Sequence, residues 1–410
     1  MSGKKIFLLN GVVRNYSWGG EVFIPRLLHL ENKNHEPFAE YWMGAHPSAP
    51  STITIGALKH RLNELIAADP EKYIGHTVLG KFGELPYLFK VLDVKEMLSI
   101  QVHPSKSEAE KGFDKEEASG KPITDATRNY KDRNHKPEVM VAISDFYLLH
   151  GFKKEDLLRK TLKETPTLTP LLTVFEKSGY KGLYQYVMEL PQEEVDHFLT
   201  PLVKAALAAE AGKNEPAYWV SKLYPNGISE TGPLVNIDRG IFSIYFFNIV
   251  FVKPGQAVFQ GAGVPHAYLE GQNVELMANS DNVLRGGLTP KHIDVPELLK
   301  HTIFEGIEPN IMEGDQITPG TWNYPCPVGD FGIQKIDLHA EGETEGKSTS
   351  GEIILVMDGD IRIQQAEALS DNSLHLFRGE ACYILPGTRY SLGSNEGGQA
   401  YKAFVPAPQS

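Results

Sequence analysis

Along the first 150 residues the apolar positions come in short runs that Gly and Pro cut off. Runs at 85–94, 96–104, 138–143 and 146–150 each predict a strand. One helix is expected at about 58–68, where Leu58, Leu62, Leu65 and Ile66 fall on one face. From Lys153 the period changes. Leu183, Tyr186, Val187 and Leu190 lie at i, i+3, i+4 and i+7, and Val195, Phe198, Leu199, Leu202 and Ala206 repeat that spacing. Pro191 followed by Gln-Glu-Glu suits a helix start. A helical insertion is therefore expected over about 152–230. Strand texture returns at 241–252, β-branched and aromatic, and stops at Lys253-Pro-Gly255. From about 320 the chain again reads as strand and turn, with 353–363 as a hairpin turning at Asp358-Gly359. The pattern is that of a mainly β protein with a helical insertion.

The two β-rich parts share a weak repeat. One copy runs from Pro254 through Gly263-Val-Pro to His266, the other from Arg378 through Gly387-Thr-Arg to Tyr390. Both read Gly, polar, Ala, an apolar stretch and a Gly-containing turn. The first delivers a histidine after the turn and the second a tyrosine, so the second copy is expected to lack a metal.

Composition narrows the function classes. At 410 residues two or three domains are expected. The net charge of -12 leaves no basic surface excess for nucleic acid or an anionic membrane. It leaves room for a local basic pocket. Two cysteines, Cys326 and Cys382, exclude a disulfide scaffold and a Cys-rich zinc module. No apolar stretch reaches 18 residues and the N-terminal apolar run is too short for a signal peptide, so a cytoplasmic protein is expected.

Candidate chemistry gathers in four places. Strand parity puts Ser99, Gln101 and His103 on one face, opposite Leu98, Ile100 and Val102, as where a strand lines a polar pocket. Glu138 opens an apolar strand after Asn134-His-Lys-Pro. His266 follows a Gly-Pro turn that the second copy builds without histidine. Alone, Gln101, His103 and Glu138 read more readily as solvated strand residues, whereas a histidine that the second copy does without points to function at His266. Together, two histidines, a carboxylate and an amide oxygen form a ligand set for zinc, or for Mn, Co or Fe. Lys90 interrupts an apolar strand, where its ammonium needs a partner or an anion. With Lys136, Arg285 and Lys291 it predicts a basic pocket for an anion such as a sugar phosphate.

The chain resembles the type I phosphomannose isomerases, zinc-dependent cupin enzymes, over essentially its whole length. The landmarks run in order: Asn15-Tyr-Ser-Trp-Gly19, the segment 39–48, Leu88-Phe-Lys-Val-Leu92, the segment 98–104, Asn134-His-Lys-Pro-Glu138, Gly263-Val-Pro-His-Ala-Tyr268 and the segment 280–291. The resemblance implies a cupin (jelly-roll) central domain over 1–151 plus 232–319, an α-helical domain inserted at 152–231, and a degenerate cupin-like β domain over 320–410. It implies one Zn2+ per chain on Gln101, His103, Glu138 and His266, with Arg285 in the active site. The implied reaction interconverts mannose 6-phosphate and fructose 6-phosphate through an enediol(ate). Zinc and Arg285 are expected to stabilise that intermediate and Lys136 to move the proton, with His135, Glu275 and Asp281 as other bases. Lys90, Ser99, Glu275 and Lys291 are expected to bind the sugar phosphate. Ser17 and Gln256 depart from the commoner Asp and Glu of the family, and neither is an expected ligand. A cupin metal oxygenase and a non-catalytic sugar-binding cupin are the rival readings. The sequence does not set the oligomeric state and is compatible with a monomer.

Overall fold

The computed structural model describes residues 3–228, 235–366 and 373–407. It contains two β jelly rolls and a helical insertion. In the first jelly roll, one sheet carries Val12–Arg14, Glu40–Gly44, Tyr87–Val94, His266–Ala278, Glu138–Ala142, Ala257–Gln260 and Ile311–Met312. The facing sheet carries Phe247–Val252, Phe146–Phe152, Ile100–Val102 and Leu284–Gly287, and also pairs with the start of His266–Ala278. The long strand serves both sheets because its register shifts between Tyr268 and Glu270. Gly271 follows at φ 126°, where a side chain would meet the Asp145 carbonyl.

The second jelly roll is built on Gly332–Leu338, Glu352–Gln365, Ala381–Ile384, Arg389–Gly393 and Gly398–Phe404. Its sheet also recruits the N-terminus. Ile6–Asn10 pairs with Ala381–Ile384, and Thr52–Ile55 and Leu58–Arg61 extend the same sheet. The expected assignment of all of 1–151 to the first domain is corrected for these strands, since their hydrogen bonds are made to the second. One apolar core runs through both units, with Tyr87, Phe89, Val139 and Leu276 in contact with the cluster of Ile353, Tyr383 and Tyr401.

Helices Glu155–Glu164, Thr169–Glu189, Gln192–Ala208 and Pro216–Lys222 form the insertion. Leu158, Leu162, Leu183, Leu199 and Trp219 pack there against Phe152 and Phe242. The expected boundary at 231–232 lies outside the described residues.

Four local expectations are corrected. Gly240–Phe246 is a helix, and only Phe247–Val252 is strand. All seven helical residues are buried, so the run shows no polar side from which a period is readable. Residues 58–61 are an edge strand and the helix begins at Leu62, leaving Leu58 exposed. Within 96–104 only Ile100–Val102 is strand. Finally, Glu352–Gln365 is one continuous strand rather than a hairpin. A bulge at Met357, between Val356 and Asp358, interrupts its pairing, and Gly359 follows at φ 65°, close against the Gly397 carbonyl. Among the described residues no helix is long and apolar enough to cross a membrane.

Candidate metal centre

Strand ends converge on one buried point. Gly263, at φ 80°, allows the turn before His266, and its N–H donates to the His103 carbonyl at 2.9 Å. That bond fixes the start of the long strand against the segment carrying His103. His266 lies opposite Gln101 in the register, and Gln101 lies opposite Arg285. Directly opposed residues share a face, so these three form a row across one sheet. Glu138 opens the strand opposite Gln260 in the facing sheet.

His103, Glu138 and His266 are all buried, and their donor atoms lie within 4.8 Å of one another. His103 Nε2 is 3.5 Å from Glu138 Oε1, and His266 Nε2 is 3.2 Å from Glu138 Oε2. The other ring nitrogens settle where the protons are. His103 Nδ1 donates to the Asn282 carbonyl at 2.8 Å, and His266 Nδ1 donates to the Val264 carbonyl at 2.9 Å. A carbonyl only accepts, so each neutral ring presents a lone pair at Nε2. Neither Nε2 has a hydrogen-bond partner among the described residues. Burial, with Lys136 adding to it, holds the His103 pKa at about 4, so this ring is neutral near pH 7. Two ring nitrogens without a hydrogen-bond partner and a carboxylate thus face one another. A cation at the centre turns that meeting into coordination, and the donor set suits zinc.

Next to this point is a cavity of about 50 Å3 lined by Gln101, Glu138, His266, Lys136, Lys90, Glu275, Glu40 and Tyr268, among others. Lys136 Nζ is 2.8 Å from Glu138 Oε1. Burial is the largest influence on Glu138 and opposes its ionisation, but Lys136, His103 and His266 together outweigh it and hold the carboxyl well below its usual range. Lys90 Nζ lies 2.9 Å from Glu275 Oε1 and 3.8 Å from Glu40 Oε2. Burial opposes its charge, but Glu275 and Glu40 prevail and raise its pKa. Tyr268 donates to Glu275 Oε2 at 2.8 Å, and the Trp42 indole donates to Glu40.

The expected basic pocket is therefore corrected at Lys90. Its ammonium already faces two carboxylates, Glu275 and Glu40, and the cavity holds two lysines against three glutamates. Arg285 is half-buried, and burial lowers its pKa, with no carboxylate among the described residues contributing. Ser99 is half-buried just before the strand, and Lys291 is exposed; neither lines the cavity. His135 turns to Asp330 at 3.0 Å and Asp281 to His46 at 3.4 Å. Glu40, Tyr268 and Asn282 received no role from sequence. Glu40 carried a signal, a carboxylate opening the strand next to the aromatics Tyr41 and Trp42.

The second jelly roll shows the same frame without the ligands. Gly387 N–H donates to the Ser348 carbonyl as Gly263 does to His103, and Tyr390 lies opposite Gly346 as His266 does opposite Gln101. Glu352 lies opposite Ile384 as Glu138 does opposite Gln260. The four ligand positions thus correspond to Gly346, Ser348, Glu352 and Tyr390. Only the carboxylate is kept. The Tyr390 ring fills the space over Gly346, its hydroxyl donates to Glu352 Oε2 at 3.3 Å, and Lys402 Nζ lies 3.9 Å from the same oxygen. A phenol stands where the first copy places His266, with an ammonium close to the one carboxylate that is kept, which gives the tyrosine noted in the repeat its physical meaning.

Residues 6–155 match the family model of the phosphomannose isomerase type I catalytic domain. The chain is 36% identical over 384 residues to the mannose-6-phosphate isomerase of Escherichia coli K12, covering 92% of this chain and 94% of that one. It is 34% identical to mannose-6-phosphate isomerase 2 of Arabidopsis thaliana, covering 87% and 84%. A crystal structure of a phosphomannose isomerase variant from Salmonella typhimurium superposes with a TM-score of 0.87 at 33% identity, covering 98% of this chain and 99% of that one. A mannose 6-phosphate isomerase from the same organism, bound to its substrate fructose 6-phosphate and to zinc, gives 0.86 at 34% identity over 98% and 100%. With the fold, the converging ligands and these likenesses together, the chain belongs to the type I phosphomannose isomerase family.

Proposed function

We propose that Gln101, His103, Glu138 and His266 hold the one zinc ion with which this chain interconverts mannose 6-phosphate and fructose 6-phosphate. The observation that carries the site is the meeting of three buried ligand side chains, with both histidines aimed by their Nδ1 hydrogen bonds. Gln101 lines the same cavity and adds a neutral oxygen, which leaves the ion more positive than a second carboxylate would. Bound there, zinc supplies a Lewis acid for charge that develops on a substrate oxygen.

The reaction is an aldose–ketose isomerisation. A proton moves between C2 and C1, and the enediolate between them carries negative charge on the oxygens at those carbons. Arg285 stands next to Gln101 in the sheet row, and no carboxylate among the described residues acts on it, so its guanidinium is assigned to that charge. Lys136, anchored on Glu138 at the cavity, is the group assigned to proton transfer. Lys90 and Glu275 lock each other and offer fixed polar edges to sugar hydroxyls. A cavity of about 50 Å3 admits an ion and a water, so the hexose lies across its mouth. The phosphate then points outward, toward water, with Ser99 and exposed Lys291 as its assigned contacts. The three-part division with an inserted helical domain is retained, with 6–10 and 52–61 moved to the second β unit. A cytoplasmic setting suits a charged sugar phosphate that does not cross membranes unaided.

The test is a coupled assay on mannose 6-phosphate before and after complete removal of metal by chelator, with zinc then restored. Turnover is expected to vanish and return. Undiminished turnover by the metal-free chain refutes the reading. An Arg285→Ala chain with full zinc and near-normal turnover removes Arg285 from its role.

A further inference from the structure

Asn282 is fully buried, and every polar atom of the residue is engaged. Its backbone carbonyl accepts from His103 Nδ1 at 2.8 Å. Its side chain grips a different segment. Oδ1 accepts from the N–H groups of Lys131 and Asp132 at 2.7 and 3.2 Å, and Nδ2 donates to the carbonyls of Asp132 and Asn134, both at 2.8 Å. Ser280 Oγ accepts from the Asn282 N–H at 3.2 Å and donates to Asp132 Oδ1 at 2.8 Å. The gripped segment, 131–134, leads within two residues to Lys136 and within four to Glu138.

We infer that Asn282 is a positioning residue that fixes the His103 ring and the segment carrying Lys136 and Glu138 against each other. The inference rests on the zinc site proposed above. Its physical basis is that three buried side chains converge on one point, so something else must hold them together and aimed when no ion does. A carbonyl on His103 sets its tautomer and ring direction, and a buried amide with both ends satisfied allows little slack. The carbonyl and the amide belong to one residue, so a shift of the 131–134 segment is transmitted to the ring.

Removing an outer partner of this kind weakens metal binding about 10–100-fold. Asn282→Ala is expected to show that loss in zinc affinity, measured by competition with a chromophoric chelator. Ser280→Ala, a milder change to the same clamp, is expected to weaken zinc in the same direction but less, and it carries the test if Asn282→Ala does not fold. Gly346→Ala, which disturbs only the second jelly roll, is the control and is expected to keep the parent's affinity. A folded Asn282→Ala chain within about threefold of the parent overturns the inference, as does an equal loss in the Gly346→Ala control. A parent chain that binds no zinc overturns both the site and the inference; one that binds zinc while Asn282→Ala matches it overturns the inference alone.

Discussion

His266 Nε2 and Glu138 Oε2 stand 3.2 Å apart, while the other ring nitrogen, Nδ1, donates to the Val264 carbonyl and turns Nε2 to the carboxylate. The pair is intelligible as two ligands of one ion. His266→Ala and His103→Ala are each expected to lower zinc content below one per chain. Their turnover is expected to fall by more than the roughly 100-fold that loss of an outer partner costs. Elemental analysis with the coupled assay checks both.

The buried histidines give the metal-free chain a defined acid sensitivity. Burial, with Lys136 second, takes His103 from 6.5 to about 4; burial, with His266 second, takes His150 to about 3. Both pKa values are lower folded than unfolded, so as pH falls below about 6.5 the unfolded chain binds protons first. Stability that is complete above that pH is lost on the way down toward pH 4. Urea midpoints of metal-free protein between pH 7 and 5 are expected to fall. His150→Gln is expected to flatten the slope, by up to about 1.4 kcal/mol per pH unit. An unchanged slope contradicts the assignment to His150.

Lys90 is the hinge of a buried charge cluster. Lys90→Met leaves Glu275 and Glu40 buried without their cation, and a loss of about 3–5 kcal/mol in unfolding free energy is expected. Adding Glu275→Gln is expected to recover much of it, since a buried pair replaced as a pair is often near neutral. Denaturant titration of the single and double variants reads the difference.

The converted copy of the site makes its own prediction. A Cβ on Gly346 would lie 2.5 Å from the Tyr390 ring, which is held by Glu352 behind it. Gly346→Ala is expected to destabilise the chain by about 1–3 kcal/mol through overpacking, with zinc content unchanged. Adding Tyr390→Ala, which removes the ring, is expected to reverse the overpacking and leave the separate cost of the lost aromatic.

Local order explains what the sequence makes readable. Strand parity aligns Gln101 with His103, Pro137 precedes a strand opened by Glu138, and the Gly-Pro turn announces His266; each signal lies within a few residues of its ligand. Family likeness then joins them. What stays hidden depends on partners far along the chain. Ile6–Asn10 pairs with Ala381–Ile384, more than 370 residues away, and nothing in its own residues marks that partner. Asn282 acts through a backbone carbonyl that no residue type advertises. Lys90 resembles a phosphate binder in sequence because its two glutamates come from residues 40 and 275. The helix Gly240–Phe246 reads as strand because burial on every side erases its period.

The most direct measurement is a crystal structure of the zinc-loaded chain with anomalous data collected on both sides of the zinc edge. One ion is expected among Gln101 Oε1, His103 Nε2, a Glu138 oxygen and His266 Nε2, at about 2.0–2.2 Å from each. An ion bound elsewhere, or a fully active chain with no ion between these four side chains, would contradict the account at its centre.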